Sequence, residues 1–330
     1  MTGETGKGRL PASGRFSPLR YPGGKGKLAR FVATLIKQNG LSDGLYVEPY
    51  AGGAAVAWEL LLTGVVRRVA INDVNRAVYA FWHSVLEQTD ELTALIADTP
   101  VNLENRDRLK GVLTSPDNAS DLELGFAMFF LNRTHRSGIL NGGVIGGRDQ
   151  SGKWKIDARY NKADLIRRIE RIAAARRRIE LTNLDAVQFV QSKNASWPDK
   201  TLVYLDPPYY EKGSQLYYDF YSNKDHLEVA QAVRSLSKVR WLVSYDDVLP
   251  IQEMYSGTQT LQYTIGYSAR EVLRGREAMF FSDGLIVPEV EGSMVELHRA
   301  AAGEPLLSAP PMGGAKQRRE ALGGGVATPA

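Results

Sequence analysis

The chain has 330 residues, 43% of them hydrophobic, which is enough to bury an ordinary core and excludes a disordered or fibrous protein. It holds no cysteine, which excludes a disulfide framework, thiolate metal sites and cysteine-nucleophile chemistry and fits a reducing compartment. A net charge of +4 permits a polyanionic partner without demanding one, and neither a secretory leader nor a membrane-spanning run is visible, so a cytoplasmic protein is expected.

Residues 1–17 are rich in Gly, Ser and basic residues without periodicity and read as a disordered tail. From there short β-branched or aromatic runs alternate with helical patterns. Helices are expected at Lys25 to Lys37, Ala54 to Leu62, Arg76 to Glu87, Leu122 to Leu131, Ala163 to Arg178 and Lys224 to Ser237. Strands are expected at Leu45 to Val47, Val69 to Ile71, Ile179 to Thr182, Leu202 to Leu205 and Trp241 to Ser244. The alternation implies a mostly parallel α/β sheet. Thr260 to Ile265 and Ala278 to Val287 lack a strong helix between them and suggest an antiparallel hairpin at one edge. More than a hundred residues separate the second and third strands, far beyond an ordinary βα connection. Residues 90–160 are therefore expected to be a separate insertion, with one catalytic domain formed by 18–89 and 161–288. Residues 289–330 read as a second disordered tail.

Tyr46-Val47-Glu48-Pro49-Tyr50-Ala51-Gly52-Gly53-Ala54 is a strand entering a glycine turn and then a helix, which lets a ligand approach bare backbone. Asp73, at the end of the next strand, can accept hydrogen bonds from both hydroxyls of a ribose. Alone, this pair fits a dinucleotide oxidoreductase equally well, and Asp73 could merely cap the helix after it. Tyr21-Pro22-Gly23-Gly24-Lys25-Gly26-Lys27 adds backbone N–H groups and an ammonium suited to a carboxylate such as a methionine tail. It has no Walker pattern.

Asp206-Pro207-Pro208-Tyr209 follows an apolar strand at its carboxyl end, where open α/β sheets bind ligands. An arylamine nitrogen is a poor nucleophile because its lone pair is delocalised into the ring, so a catalyst must offer acceptors to both N–H bonds. The Asp206 carboxylate and the Pro207 carbonyl are such acceptors, and prolines are stiff and cannot donate. Tyr209 offers a flat face for an extruded base. The bland alternative is a strand-end turn.

These motifs, in this order and together with Asn72-Asp73-Val74-Asn75 and Phe130-Leu131-Asn132-Arg133, resemble the D12-class N6-adenine DNA methyltransferases, the family of the Dam-type enzymes. The resemblance spans about Arg20 to Val287. It implies an S-adenosylmethionine-dependent methyltransferase sheet of Rossmann-like form with a helical, loop-rich target-recognition insertion. By it, Tyr21, Gly23, Gly24, Lys25, Glu48, Pro49, Gly52, Gly53, Asp73, Asp185 and Asp206 serve S-adenosylmethionine, with Asp185 at the cofactor's adenine amino group. Asp206, Pro207, Pro208 and Tyr209 serve the target base. Asn132, Arg133, Arg136, Asn141 and Arg148 would contact double-stranded DNA, mostly at phosphates. A departure is Ala54, where many relatives have a second glycine.

The resemblance further implies a monomer and allows a cognate restriction endonuclease acting on the same site. N4-cytosine methylation, which usually places Ser at the position of Asp206, and RNA adenine methylation, which usually places Asn there, are the near rivals. C5-cytosine methylation is excluded by the missing cysteine. A nicotinamide oxidoreductase assigns no work to Asp206 through Tyr209, and a non-catalytic DNA-binding module explains only the arginines. His135 has no neighbouring ligand set, so no metal is expected, and a surface or capping place suits it. Arg167, Arg168, Arg171, Arg176, Arg177 and Arg178 read as the solvated face of one helix. The aromatic-rich segment 210–221 could fold over a flipped base.

Overall fold

The computed structural model describes residues 16–20, 25–211, 221–265 and 275–304. Its centre is an eight-stranded sheet in the order β3-β2-β1-β4-β5-β7-β6-β8. The strands are β1 (Leu45–Glu48), β2 (Arg68–Asn72), β3 (Ile179–Thr182), β4 (Thr201–Leu205), β5 (Arg240–Asp246), β6 (Gln259–Ile265), β7 (Arg276–Phe281) and β8 (Met294–Ala300). The first five pair in parallel, and β7, β6 and β8 add antiparallel pairs.

Parallel strands are covered on both faces, so they run apolar throughout and side chains divide between two cores with a period of two. Tyr46, Val69, Ile71, Leu202, Tyr204 and Leu242 fall in one cluster. Their neighbours Val47, Ala70, Val203, Leu205 and Val243 fall in the other. The first cluster is covered by α1 (Ala29–Gln38), α2 (Ala55–Leu62), α3 (Arg76–Glu87), α4 (Thr89–Asp98), α5 (Leu103–Thr114), α6 (Asp121–Thr134) and α7 (Lys162–Ala173). The second is covered by α8 (Ala186–Lys193), α9 (Asn223–Arg234) and α10 (Leu249–Met254).

β1 connects outward to β2, and β4 lies on its other side. The chain therefore reverses its lateral direction between β1 and β4, and the carboxyl ends of these two strands flank the crevice where α/β sheets bind ligands. Glu48 ends β1 and Asp206 follows β4, so the topology brings together motifs 158 positions apart.

Three expectations need correction. Residues 90–160 do not form a separate unit: Phe126, Phe129 and Phe130 of α6 belong to the same core as Phe81 and Trp82 of α3. Phe81 and Phe129 stack 5.5 Å apart at 5°. The reason is that α6 is apolar nearly all round, and such a helix has to be enclosed. Second, residues 289–330 are not wholly a tail, because Met294–Ala300 pairs with β6 as the edge strand. Its buried ends and partly exposed charged middle fit an edge, where charge discourages further pairing. Third, the basic helix ends at Ala173, and Arg176–Arg178 is a short 3-10 turn. Arg168 donates to the Ser17 carbonyl at 3.0 Å and Arg171 sits 4.5 Å over the Phe16 ring, so two of these arginines hold the chain start. Residues 1–15 and 305–330, the rest of the expected tails, lie outside the described residues.

Candidate active site

The first half of the site is built at the ends of β1, β2 and β3. After Glu48 the chain turns through Gly52, at φ 45°, and Ala54, also at φ 45°, into α2. An L-residue in this left-handed region is strained, which is the physical meaning of the departure at Ala54. Asp73 fixes the turn from below: its Oδ2 accepts from Gly52 N at 2.8 Å and its Oδ1 from Asn75 N at 2.9 Å. Asn75 caps α3, so Asp73 is not merely a cap.

Asn72, whose importance composition and spacing did not reveal, is the clamp of this half. Fully buried, it donates to the carbonyls of Pro49 (3.0 Å) and Leu184 (2.9 Å) and accepts from Thr182 Oγ1 and Leu184 N. It thereby ties the loops after β1 and β3 together. Asp185 is exposed and caps α8, with Oδ1 accepting from Val187 N and Gln188 N.

Glu48 is buried and accepts from Tyr46 Oη at 2.8 Å. Burial pushes its carboxyl up to about 8, with the nearby Asp206 charge adding to the rise against the lowering hydrogen bond from Tyr46. Gly53 is held through its carbonyl by Ser17 Oγ at 2.6 Å, and Gly52 through its carbonyl by Trp82 Nε1 at 2.9 Å. Tyr21, Gly23 and Gly24 lie outside the described residues.

The second half follows β4. Asp206 keeps 28% of its side chain exposed, and its Oδ1 accepts from Ser244 Oγ of β5 at 2.7 Å. Tyr204 Oη lies 3.0 Å from the same Ser244 Oγ, so the serine donates to Asp206 while accepting a hydrogen bond from the tyrosine hydroxyl. Burial raises the pKa of Asp206, opposed by the Lys25 ammonium and the Ser244 hydrogen bond. Beyond the prolines, Asp246 at the end of β5 accepts from Tyr210 N (2.9 Å) and Glu211 N (3.0 Å), which fixes the exit of the turn. Residues 212–220, most of the aromatic segment, lie outside the described residues. Tyr221, at its far end, donates to Tyr50 Oη at 3.2 Å.

Lys25 stands with the Asp206 half: its buried Nζ is 2.8 Å from Glu277 Oε2, 3.2 Å from Tyr209 Oη and 3.4 Å from Asp206 Oδ1. Burial alone favours the neutral amine, but the Asp206 and Glu277 carboxylates outweigh it and hold the pKa well above the usual lysine value. Glu277 was not anticipated. The signal was an acid inside the apolar strand Arg276-Glu277-Ala278-Met279-Phe280-Phe281.

The five expected DNA residues divide. Asn132 is buried: its Oδ1 accepts from Arg20 N and its Nδ2 donates to the carbonyls of Arg20 and Gly138. Arg133 points inward, donating to the carbonyls of Arg159 and Pro18, and burial with neighbouring Arg20 and Arg168 lowers its pKa to about 10. These two side chains bond neighbouring backbone and hold the loop in place. Arg136, Asn141 and Arg148 are exposed, and Arg148 pairs with Asp107 at 2.8 Å. His135 does cap α6, but inside the protein: Nε2 accepts from buried Arg106 Nε at 3.0 Å and Nδ1 contacts the Leu140 carbonyl at 2.9 Å.

Among the described residues no helix is long and apolar enough to cross a membrane. Similar solved structures include an rRNA methyltransferase from Streptomyces viridochromogenes, 15% identical over 77% of this chain and 84% of that one, with a TM-score of 0.34. Another is a SAM-dependent methyltransferase from Neisseria gonorrhoeae, 14% identical over 86% of this chain and 78% of that one, also with a TM-score of 0.34. A search of curated protein sequences finds no match. The model of one family, by contrast, matches residues 21–265, and the chain belongs to it: the D12 class N6 adenine-specific DNA methyltransferases.

Proposed function

We propose that the chain transfers the methyl group of S-adenosylmethionine to the N6 amino group of an adenine extruded from duplex DNA. The observation that carries this reading is the juxtaposition across the β1/β4 crevice: a carboxylate-lined turn on one side and Asp206 with the Pro207 carbonyl on the other. The donor set fits the cofactor. Asp73 and Asp185 stand at the ends of β2 and β3, where ribose hydroxyls and an adenine amine would be read, and the Glu48 carboxyl at the end of β1 would meet the cationic methionine end. When bound, S-adenosylmethionine supplies a methyl group activated by its sulfonium.

On the substrate side Ser244 and Lys25 both engage Asp206 Oδ1, which among the described residues leaves Oδ2 to accept one N6–H. The Pro207 carbonyl accepts the other. Held this way, the nitrogen would pyramidalise and its lone pair would be directed at the methyl group, the carbon–sulfur electron pair returning to sulfur; one N6 proton would then pass to solvent by way of the Asp206 oxygen that accepts it. Positioned acceptors offset the positive charge that builds on nitrogen, and alignment supplies much of the rate. The Tyr209 ring stacks on the extruded base. Arg136, Asn141 and Arg148 meet the DNA backbone or base edges, with Arg148 exchanging Asp107 for phosphate.

The test is incubation of the full chain with methyl-labelled S-adenosylmethionine and unmethylated duplex DNA, followed by digestion and identification of the labelled nucleoside. Label is expected in N6-methyladenine. Label in N4-methylcytosine, or in RNA with none in DNA, overturns the reading. Asp206→Ala should lose transfer by at least about 100-fold while cofactor binding persists in part.

A further inference from the structure

Lys25, Asp206 and Glu277 form a contiguous cluster of one positive and two negative side chains, with Lys25 and Glu277 buried and Asp206 partly exposed. Such a cluster is costly to bury and is retained where its arrangement is used. Glu277 is 4% exposed and fully served: Oε2 accepts from Lys25 Nζ (2.8 Å) and Tyr263 Oη (2.8 Å), and Oε1 from Tyr209 Oη (3.1 Å). Burial opposes its ionisation, but the Lys25 ammonium and the hydrogen bonds from Lys25, Tyr263 and Tyr209 hold the carboxyl below its ordinary range, so it is a carboxylate. The Glu277 charge then balances the Lys25 ammonium, so that the negative charge of Asp206 is not neutralised by it. Without Glu277 the ammonium would keep Asp206 as its one carboxylate partner among the described residues and would draw onto the oxygens that the amine needs. The Tyr209 hydroxyl would also lose its bond to Glu277, and the ring that restraint on its orientation.

We propose that Glu277 is a positioning residue for methyl transfer: it draws the Lys25 ammonium off Asp206 and anchors the Tyr209 ring, keeping Asp206 an available, electron-rich acceptor. The inference deepens the proposed DNA adenine methylation and rests on it. It makes a directional claim that packing alone does not. The titratable groups around Asp206 are Lys25, Glu48 on β1, Tyr204 on β4, Tyr209 and Glu277 on β7, with Tyr46, Tyr245 and Tyr263 behind them. Of these, the Glu277 charge raises the proton affinity of Asp206 and the Lys25 charge lowers it. Replacing Glu277 by a neutral isostere therefore lowers the pKa of Asp206.

The experiment compares the full-length wild type, Glu277→Gln, Tyr209→Phe and Asp206→Asn. Methyl transfer to unmethylated duplex DNA is measured over a range of S-adenosylmethionine concentrations that reaches saturation, and the Asp206 carboxyl is titrated by carbon-13 NMR in the cofactor-free chain, assigned by its loss in Asp206→Asn. In Glu277→Gln the expected result is a kcat about 10- to 100-fold lower at unchanged KM for S-adenosylmethionine, with the Asp206 titration moved to lower pH. Wild-type kcat, or a kcat loss with an unmoved Asp206 titration, overturns the positioning role. If Glu277→Gln fails to fold, Tyr209→Phe decides: it keeps the ring and removes its bonds to Glu277 and Lys25, so kcat should fall, and unchanged kcat overturns the role. Failure of the underlying reading looks different, because then the wild type labels no DNA, or Asp206→Asn is as active as wild type.

Discussion

Two residues show how single positions set the properties of the crevice. Ala54 adopts φ 45° and ψ 34° at the start of α2. A left-handed L-residue costs roughly 1–2 kcal/mol, and glycine escapes that cost. The greater freedom of glycine in the unfolded chain takes back up to about 1 kcal/mol. Ala54→Gly should therefore stabilise the protein by about 1 kcal/mol or less, read as a small rise in Tm; a lower Tm would mean that the alanine methyl contributes packing worth more than the strain. Glu48 has the opposite character, a buried acid without a cation beside it among its hydrogen-bond partners. Its folded pKa of about 8 lies above the ordinary 4.5, so between these values the folded state binds more protons than the unfolded state. Stability contributed by the protonated form is thus fully present below about pH 4.5 and is lost as pH rises toward 8. Glu48→Gln, which mimics the protonated form, should flatten this decline, so that its Tm advantage over wild type grows between pH 5 and pH 8. An advantage that does not change with pH would show that Glu48 is ionised in the folded chain throughout.

Among the elements, α6 departs most from what its sequence position suggested. It crosses α3 closely enough that a Cβ on Gly125 would lie 2.6 Å from the Ala80 carbonyl oxygen and 2.7 Å from Phe81 Cα. Helix propensity favours alanine over glycine by about 1 kcal/mol, while overpacking costs about 1–3 kcal/mol and backbone atoms have no rotamer to yield. Gly125→Ala should therefore destabilise the fold, seen as a lower midpoint in urea, and shift the loop that Asn132 and Arg133 anchor. A midpoint at or above wild type would place α3 and α6 farther apart. The same packing explains what Asn132 and Arg133 bond: they sit where α6 leaves the core, and polar groups there bond the passing chain at Arg20, Gly138 and Arg159.

At the scale of the molecule, local pattern announced the parallel sheet, because strands buried on both faces must be continuous apolar runs bounded by turns. Leu202 to Leu205 and Ile179 to Thr182 lie within the observed strands, and helix α3 has the expected bounds. The Asp206 motif, the Gly52 turn and Asp73 were legible because each is a short chain segment whose chemistry is local. Their neighbours were not. Glu277 reads as an anomaly in an apolar strand until β7 inserts between β5 and β6 and brings it to Lys25, 252 positions away. Asn72 reads as part of a turn until two loops close on it. Met294–Ala300 is unremarkable in composition and becomes a strand because β6 offers an unpaired edge. The sequence by itself determined the sheet class, the family and the two ends of the crevice, since these depend on periodicity and on contiguous residues. Tertiary structure alone decided which charges meet in the crevice and which polar residues are consumed by the fold, since burial and ion pairing depend on distances that no local spacing encodes.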